Sequence, residues 1–245
     1  MSSTSFPLLH KVLRPIDPLI VRVLRRVDRL ARSAGIPYCM AGATARDLIL
    51  VNVHGLWAGR ATRDIDFGIA FRGVSSPDNQ IAWPPKNDMV MNVASFEEAL
   101  ASSILLAVED QLGVRVASVP GLTLLKLTAW ADRGNMTTKD AIDLLQLVST
   151  YAHAGNLDRL YDQAMLILEA AEFDVQLAGA QLPGRDVRVI CTECMEGVIG
   201  RLLRDDATFE RLSDQAVNSE LDSDADFQRR LLQFFRRGLT SETFI

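Results

Sequence analysis

With 245 residues, 48% apolar side chains and 23% charged ones, the chain is long enough for one or two domains with a real core. Three cysteines, an odd number, argue against a disulfide scaffold, and no apolar run approaches the ~20 residues of a membrane span. The net charge of −5 is unevenly placed: residues 1–72 hold 11 Lys/Arg against 5 Asp/Glu (+6), whereas residues 119–245 hold 13 against 20 (−7). A basic front half suits a polyanionic partner such as a nucleotide or RNA; the plainer alternative is one solvated helix face bearing Arg22, Arg25, Arg26, Arg29 and Arg32. The opening MSSTSFPLLHKVLRP lacks a basic-then-apolar leader pattern, so the expected location is the cytoplasm.

In chain order, Pro18 opens a helix with apolar residues at helical spacing, and Gly35 stops it. IPYCMA is a short buried strand, and Thr44 to about Val53 a helix starting just after Gly42. After a loop bracketed by Gly55 and Gly59, RDIDFGIAF is the next strand, its Ile65, Phe67 and Ile69 alternating with the acids. Residues 72–92 are rich in turn formers and predicted irregular. SFEEALASS starts with a serine cap and an acidic first turn, and ILLAVED and VRVASV flank QLG as a hairpin. From Pro120 onward the chain is helical: PGLTLLKLTAWADR, TKDAIDLLQLVSTYA, NLDRLYDQAMLILEAA, a segment around RDVRVICTECMEGVIGRLL, and DFQRRLLQFFRRGL. The predicted organisation is an α/β domain over 1–118 and a helical domain over 119–245, hence an α+β chain.

Asp64 and Asp66 pose the chemical question, because aspartate is a poor strand former. Acids at i and i+2 on a strand point to the same side of the sheet, within reach of a shared divalent ion. Mg²⁺ prefers one or two carboxylates plus substrate phosphate oxygens, and paired ions clamp both oxygens of an in-line displacement at phosphorus. The Gly42-Ala43-Thr44 turn between strand and helix supplies backbone N–H groups suited to phosphate, with Thr44 alternatively only a helix cap. Arg46 follows closely as a candidate phosphate holder, braced by Asp47.

The order strand, glycine turn, helix, loop, acidic strand resembles the nucleotidyltransferase superfamily, whose signature is a hydrophobic-Gly-Gly/Ser turn followed by an Asp-x-Asp/Glu strand. GATARDL followed by TRDIDFGI also looks like the GGAVRD and DxD blocks of the CCA-adding polymerases. Ala43 departs from the usual Gly or Ser, offering a backbone donor but no hydroxyl. LTLLKLTAWADRGNMTTKDAIDLL is similar to the later motifs of the AbiEii/MenT-type toxin nucleotidyltransferases, where a Lys-containing helix precedes an Arg/Lys-Asp block. The resemblance implies a reduced nucleotidyltransferase-type mixed sheet with a C-terminal helical domain. It implies Mg²⁺ at Asp64 and Asp66, a nucleoside triphosphate held by Gly42, Ala43, Thr44, Arg46 and Lys126, and a catalytic acid at Asp140, with Asp143 its rival. The implied acceptor is a tRNA 3′ end or a protein hydroxyl, and the implied setting a toxin with a cognate antitoxin.

Two alternatives remain at this level. One is a catalytically degenerate nucleotide- or RNA-binding module, because residues 67–80 are too few for the rest of a strand, a helix and the further strand that usually carries a third carboxylate. The other is an interaction protein that uses its helical half. Lys126 in an apolar stretch needs a partner, and a plain ion pair with Asp140 or Asp143 would satisfy it. Asp78 and Asp88 read as surface turn residues; His10, His54 and His153 form no ligand spacing. Trp83 and Trp130 are core residues or base stackers, and Cys191 and Cys194 form a lone CxxC read as buried sulfurs within one helix.

Overall fold

The computed structural model describes residues 9–57, 65–69, 80–83, 89–93, 95–217 and 224–240. Strand β1 (Leu9–Lys11) precedes helix α1 (Pro18–Ala34). Pro18 sits in the first turn of α1, the Asp17 carboxylate accepts the Leu19 N–H at 2.7 Å, and Gly35 at φ 64° closes the far end. Strand β2 (Tyr38–Ala41) is buried at all four positions. Helix α2 (Gly42–Asp47) begins two residues before the expected Thr44, and from Leu48 to Val53 the chain widens into a π-helical turn. That widening leaves the Asn52 carbonyl to accept the N–H groups of Leu13 and Arg14, which ties the segment before α1 to this turn.

Strand β3 (Asp66–Ile69) is the described part of the predicted acidic strand; Asp64 lies outside the described residues. Strands β4 (Gln80–Trp83) and β5 (Met89–Asn92) correct the expectation that residues 72–92 are irregular. They pair antiparallel with each other, Ile81 opposite Met91, so ladder hydrogen bonds override the local turn chemistry. The short helix α3 (Phe96–Ala101) follows Ser95, which does not cap it: Ser95 has φ 72°, and its hydroxyl bonds Thr128 Oγ1 at 2.9 Å instead. Strands β6 (Ile104–Glu109) and β7 (Leu112–Val116) form the predicted hairpin.

The main sheet has five strands in the order β1-β6-β7-β2-β3. β1 is parallel to β6 and β7 to β2, whereas β6–β7 and β2–β3 are antiparallel, so the sheet is mixed. The remainder is helical: α4 (Val119–Arg133), α5 (Lys139–Thr150), α6 (Leu157–Gln163), α7 (Met165–Ala170), α8 (Val175–Ile190), α9 (Glu193–Arg204), α10 (Asp206–Ala216) and α11 (Ala225–Thr240). Ser118 caps α4 by accepting the Gly121 N–H at 3.2 Å. Two expected single helices are split. Ala164, at φ −135°, separates α6 from α7. Cys191, extended at ψ 138°, separates α8 from α9, so the CxxC does not lie within one helix and Cys191 is only half-buried.

One continuous apolar cluster runs from Met40, Leu106 and Val114 under the sheet through Leu122, Leu127, Trp130 and Leu144 to Leu231 and Phe235. Helices α8 and α11 approach at two glycines: a Cβ at Gly184 would overlap the Phe235 carbonyl, and one at Gly238 the Gln181 carbonyl. The fold is therefore mixed α+β, with a five-stranded mixed sheet and a C-terminal helical region. Among the described residues no helix is long and apolar enough to cross a membrane.

Candidate functional site

The register of β2 and β3 builds one side of the site. Ala41, the last residue of β2, stands opposite Asp66, the first of β3. The chain must leave β2 at that level without striking the Asp66 side chain. Gly42 permits it: at φ +69° it takes a conformation L side chains rarely adopt, and a Cβ there would overlap Asp66 Oδ2 and lie 3.0 Å from its Cγ. Ala41 has no side chain able to cap α2, so the first turn of that helix opens beside an exposed carboxylate. Ala43 and Thr44 in that turn are buried, at 8% and 4% exposure.

Helices α4 and α5 build the other side. Lys126 and Arg133 are seven residues apart on α4, and Asp140 and Asp143 are three apart on α5, so each pair lies on one helix face. Lys126 Nζ lies 3.0 Å from Asp140 Oδ1 and 2.7 Å from Asp143 Oδ2. Arg133 holds Asp140 through two bonds, Nε to Oδ2 at 2.6 Å and Nη2 to Oδ1 at 3.0 Å. Arg46 arrives from α2 and donates Nη1 to Asp143 Oδ1 at 2.9 Å, with Asp47 bracing the same guanidinium. Asp140 and Asp143 are each 1% exposed and Arg46 2%, whereas Lys126 keeps 17% of its side chain open and Arg133 50%.

Burial alone would push the Asp140 carboxyl up, but the Arg133 hydrogen bonds and the Lys126 charge outweigh it and hold the carboxyl below its ordinary range. Arg133 is held charged first by its bonds to Asp140, and Asp66 adds to that attraction. Arg46, which belongs to α2 and bonds Asp143 on α5, is the contact that ties the two sides together.

Of the residues singled out in the sequence, Gly42 and Asp66 come together, and so do Lys126, Asp140 and Asp143. The ion pair expected for Lys126 with one acid or the other is made with both. Arg46 faces inward and presents no guanidinium to solvent. Asp64, Asp78 and Asp88 lie outside the described residues. Trp130 is fully buried and donates Nε1–H to Gln215 Oε1 at 2.7 Å, with the Arg211 guanidinium 4.8 Å over its ring, so it is a core residue. Arg133 was missed by the sequence reading; its place seven residues after Lys126, at the end of the same helix, is the signal that would have found it. Among the described residues no three His, Cys, Asp or Glu side chains cluster as a ready metal cage. Asp66 beside the α2 turn is the described carboxylate that could contribute to the shell of a Mg²⁺, an ion that takes one or two carboxylates and completes its shell from phosphate and water. Comparison with protein-family models, curated proteins and solved structures finds no match for this chain.

Proposed function

We propose that the chain is a Mg²⁺-dependent nucleotidyltransferase of the AbiEii/MenT-like kind, which moves NMP from a nucleoside triphosphate to a hydroxyl acceptor. The observation that carries this reading is the placement of the Gly42 turn directly against Asp66, set by the Ala41–Asp66 pairing. A glycine that admits backbone N–H groups next to a carboxylate is what a metal–triphosphate needs. The antiparallel packing of the turn strand on the acidic strand supports the nucleotidyltransferase-type reading of the sheet.

In this reading Asp66, with Asp64 two residues before it, holds the metal, and the Gly42–Thr44 turn receives the β- and γ-phosphates. The metal, when bound, neutralises charge on the phosphates and on the departing pyrophosphate. The acceptor oxygen forms a bond to the α-phosphorus as the bond from that phosphorus to pyrophosphate breaks, and the hydroxyl proton passes to solvent. Lys126, pinned between two acids, places its ammonium beside the triphosphate without searching rotamers. Both Asp140 oxygens are engaged by Arg133 and Lys126 and its carboxyl is held acidic, which favours orientation of those cations over proton abstraction. Arg46 holds Asp143 from inside the core. The acceptor is an RNA 3′ end or a protein hydroxyl, with a cognate antitoxin the partner in a toxin setting.

The closure of the Lys126–Asp140–Asp143 network on itself favours a second reading, a degenerate module that binds nucleotide without transferring it. Incubation with α-labelled NTPs, Mg²⁺ and an RNA acceptor separates the two. The transfer reading expects labelled product from the wild type and at least a hundredfold less from Asp66→Asn. Equal inertness of both proteins, with nucleotide still bound, removes it.

A further inference from the structure

We infer that the outer face of α1 is a docking surface for the phosphate backbone of RNA. Arg22, Arg25, Arg26, Arg29 and Arg32 are all exposed. At 100° per residue they share an arc of roughly 120°, and at 1.5 Å per residue they form a stripe about 15 Å long. The opposite face is committed to the core: Leu24 is fully buried, and Ile20, Val27 and Ala31 pack against the apolar cluster. The stripe is therefore fixed in orientation by the fold.

Two of its five charges are spoken for within the chain. Arg25 pairs with Glu109, and Arg32 donates Nε–H to Asp28 at 2.7 Å. Arg22, Arg26 and Arg29 have no acidic partner among the described residues. The neighbouring chain adds Lys11 and Arg14, both exposed, so residues 9–35 hold seven Lys/Arg against two Asp. A helix needing only solubility gains nothing from single-sign charge at this density, because like charges at this spacing repel.

The chemistry favours a phosphodiester chain over an acidic protein. All five residues of the stripe are arginine, whose planar fork meets phosphate oxygens bidentately. A protein interface draws most of its binding energy from a few residues packed into desolvated pockets near its centre, which calls for apolar surface around them. Here the exposed apolar residues of α1, Leu19 and Leu30, stand at the border of the stripe rather than inside it. Phosphate contacts need no such surface, since counterion release supplies the free energy. The choice of RNA among phosphodiesters rests on the transfer reading with its hydroxyl acceptor; the electrostatic face does not.

The test is fluorescence anisotropy of a labelled RNA hairpin with a single-stranded 3′ tail, titrated over a range of KCl concentrations. The variant is Arg22→Gln/Arg26→Gln/Arg29→Gln, which leaves the Arg25 and Arg32 ion pairs intact, with its fold checked by circular dichroism and urea midpoint. Binding at least tenfold weaker, with a log K against log salt slope shallower by about two to three, is the expected result. Unchanged affinity and slope overturn the inference, and so does a poly-glutamate peptide that binds as tightly as the RNA and is lost equally in the variant. If the wild type binds RNA through this face yet transfers no nucleotide, the docking surface stands and the transfer reading alone falls.

Discussion

Two ion clusters among the described residues differ in burial, one almost fully enclosed and one partly exposed. Between α4 and α5, Lys126, Arg133 and Arg46 hold Asp140 and Asp143. In the helical half, Arg159 grips Asp186 through two bonds of 2.7 and 2.8 Å, and the Tyr151 hydroxyl donates to the same carboxylate. Burial and that carboxylate raise the Tyr151 hydroxyl pKa far above its ordinary value, so it stays a donor. Both clusters follow one rule, that a charge taken out of water must be paired and hydrogen-bonded. They differ at their edges. The Tyr151–Arg159–Asp186 cluster joins helical segments within the C-terminal region. The α4–α5 cluster takes in Arg46 from α2, the helix that begins at the Gly42 turn, and leaves half of the Arg133 side chain open. A buried ion network alone therefore says nothing about function; what it leaves open, and toward what, does.

The comparison can be broken at several points. Arg46→Ala leaves Asp143 buried with one of its cations removed and is expected to cost about 3–5 kcal/mol in urea unfolding. Equality with Arg159→Ala would show that the two clusters do not differ in burial. Gly42→Ala combines positive-φ strain with overlap on Asp66 and is expected to cost about 2–3 kcal/mol while also displacing the carboxylate. A Gly42→Ala protein of wild-type stability would mean that the turn is looser than its geometry. Arg159→Ala, at a site where the arginine is 37% and Asp186 19% exposed, is expected to cost only about 1–2 kcal/mol and to leave nucleotide binding unchanged.

Protonation gives the smallest effects. The Asp140 carboxyl is held below its ordinary 3.8, so its contribution is full at neutral pH and is lost as pH falls from about 4 through the lower folded value. Asp140→Asn should flatten that acid limb in urea midpoints measured against pH. His54 is lowered from 6.5 by burial and, secondarily, by His10, so the folded state favours neutral imidazole. Its contribution is present above about 6.5 and declines as pH falls below it. His54→Gln should flatten the stability profile between pH 5 and 7, and a steeper profile would contradict the burial of that ring.

Local chemistry made much of this fold legible. The Pro18 start and Gly35 stop of α1 and the β6–β7 hairpin follow from residues within a few positions of each other, as does the glycine turn after β2. Pairings that depend on distant chain segments were not legible. Arg46 meets Asp143 across 97 positions, and nothing near GATARDL announces a buried guanidinium. The β4–β5 pair lies in a Pro-rich tract whose local signals favour turns, and cross-strand bonding reverses them. Thr192 shows the same principle at the α8–α9 break, where its hydroxyl bonds the buried Glu98 of α3 at 2.7 Å. In the site, the two acids on α5 and the lysine on α4 were singled out by the resemblance of their motif, and the lysine also by its lone charge in an apolar stretch. For Arg133 the only local signal is its seven-residue spacing from Lys126, which puts both on one face of α4.

The most direct test of the central claim is calorimetric binding of a nucleoside triphosphate with and without Mg²⁺, comparing wild type, Asp66→Asn and Arg159→Ala. The account predicts Mg²⁺-dependent binding in the wild type, its loss by at least tenfold in Asp66→Asn, and its full retention in Arg159→Ala. Binding that ignores both Mg²⁺ and Asp66 would contradict the assignment of the β3 carboxylate and the Gly42 turn as one phosphate site.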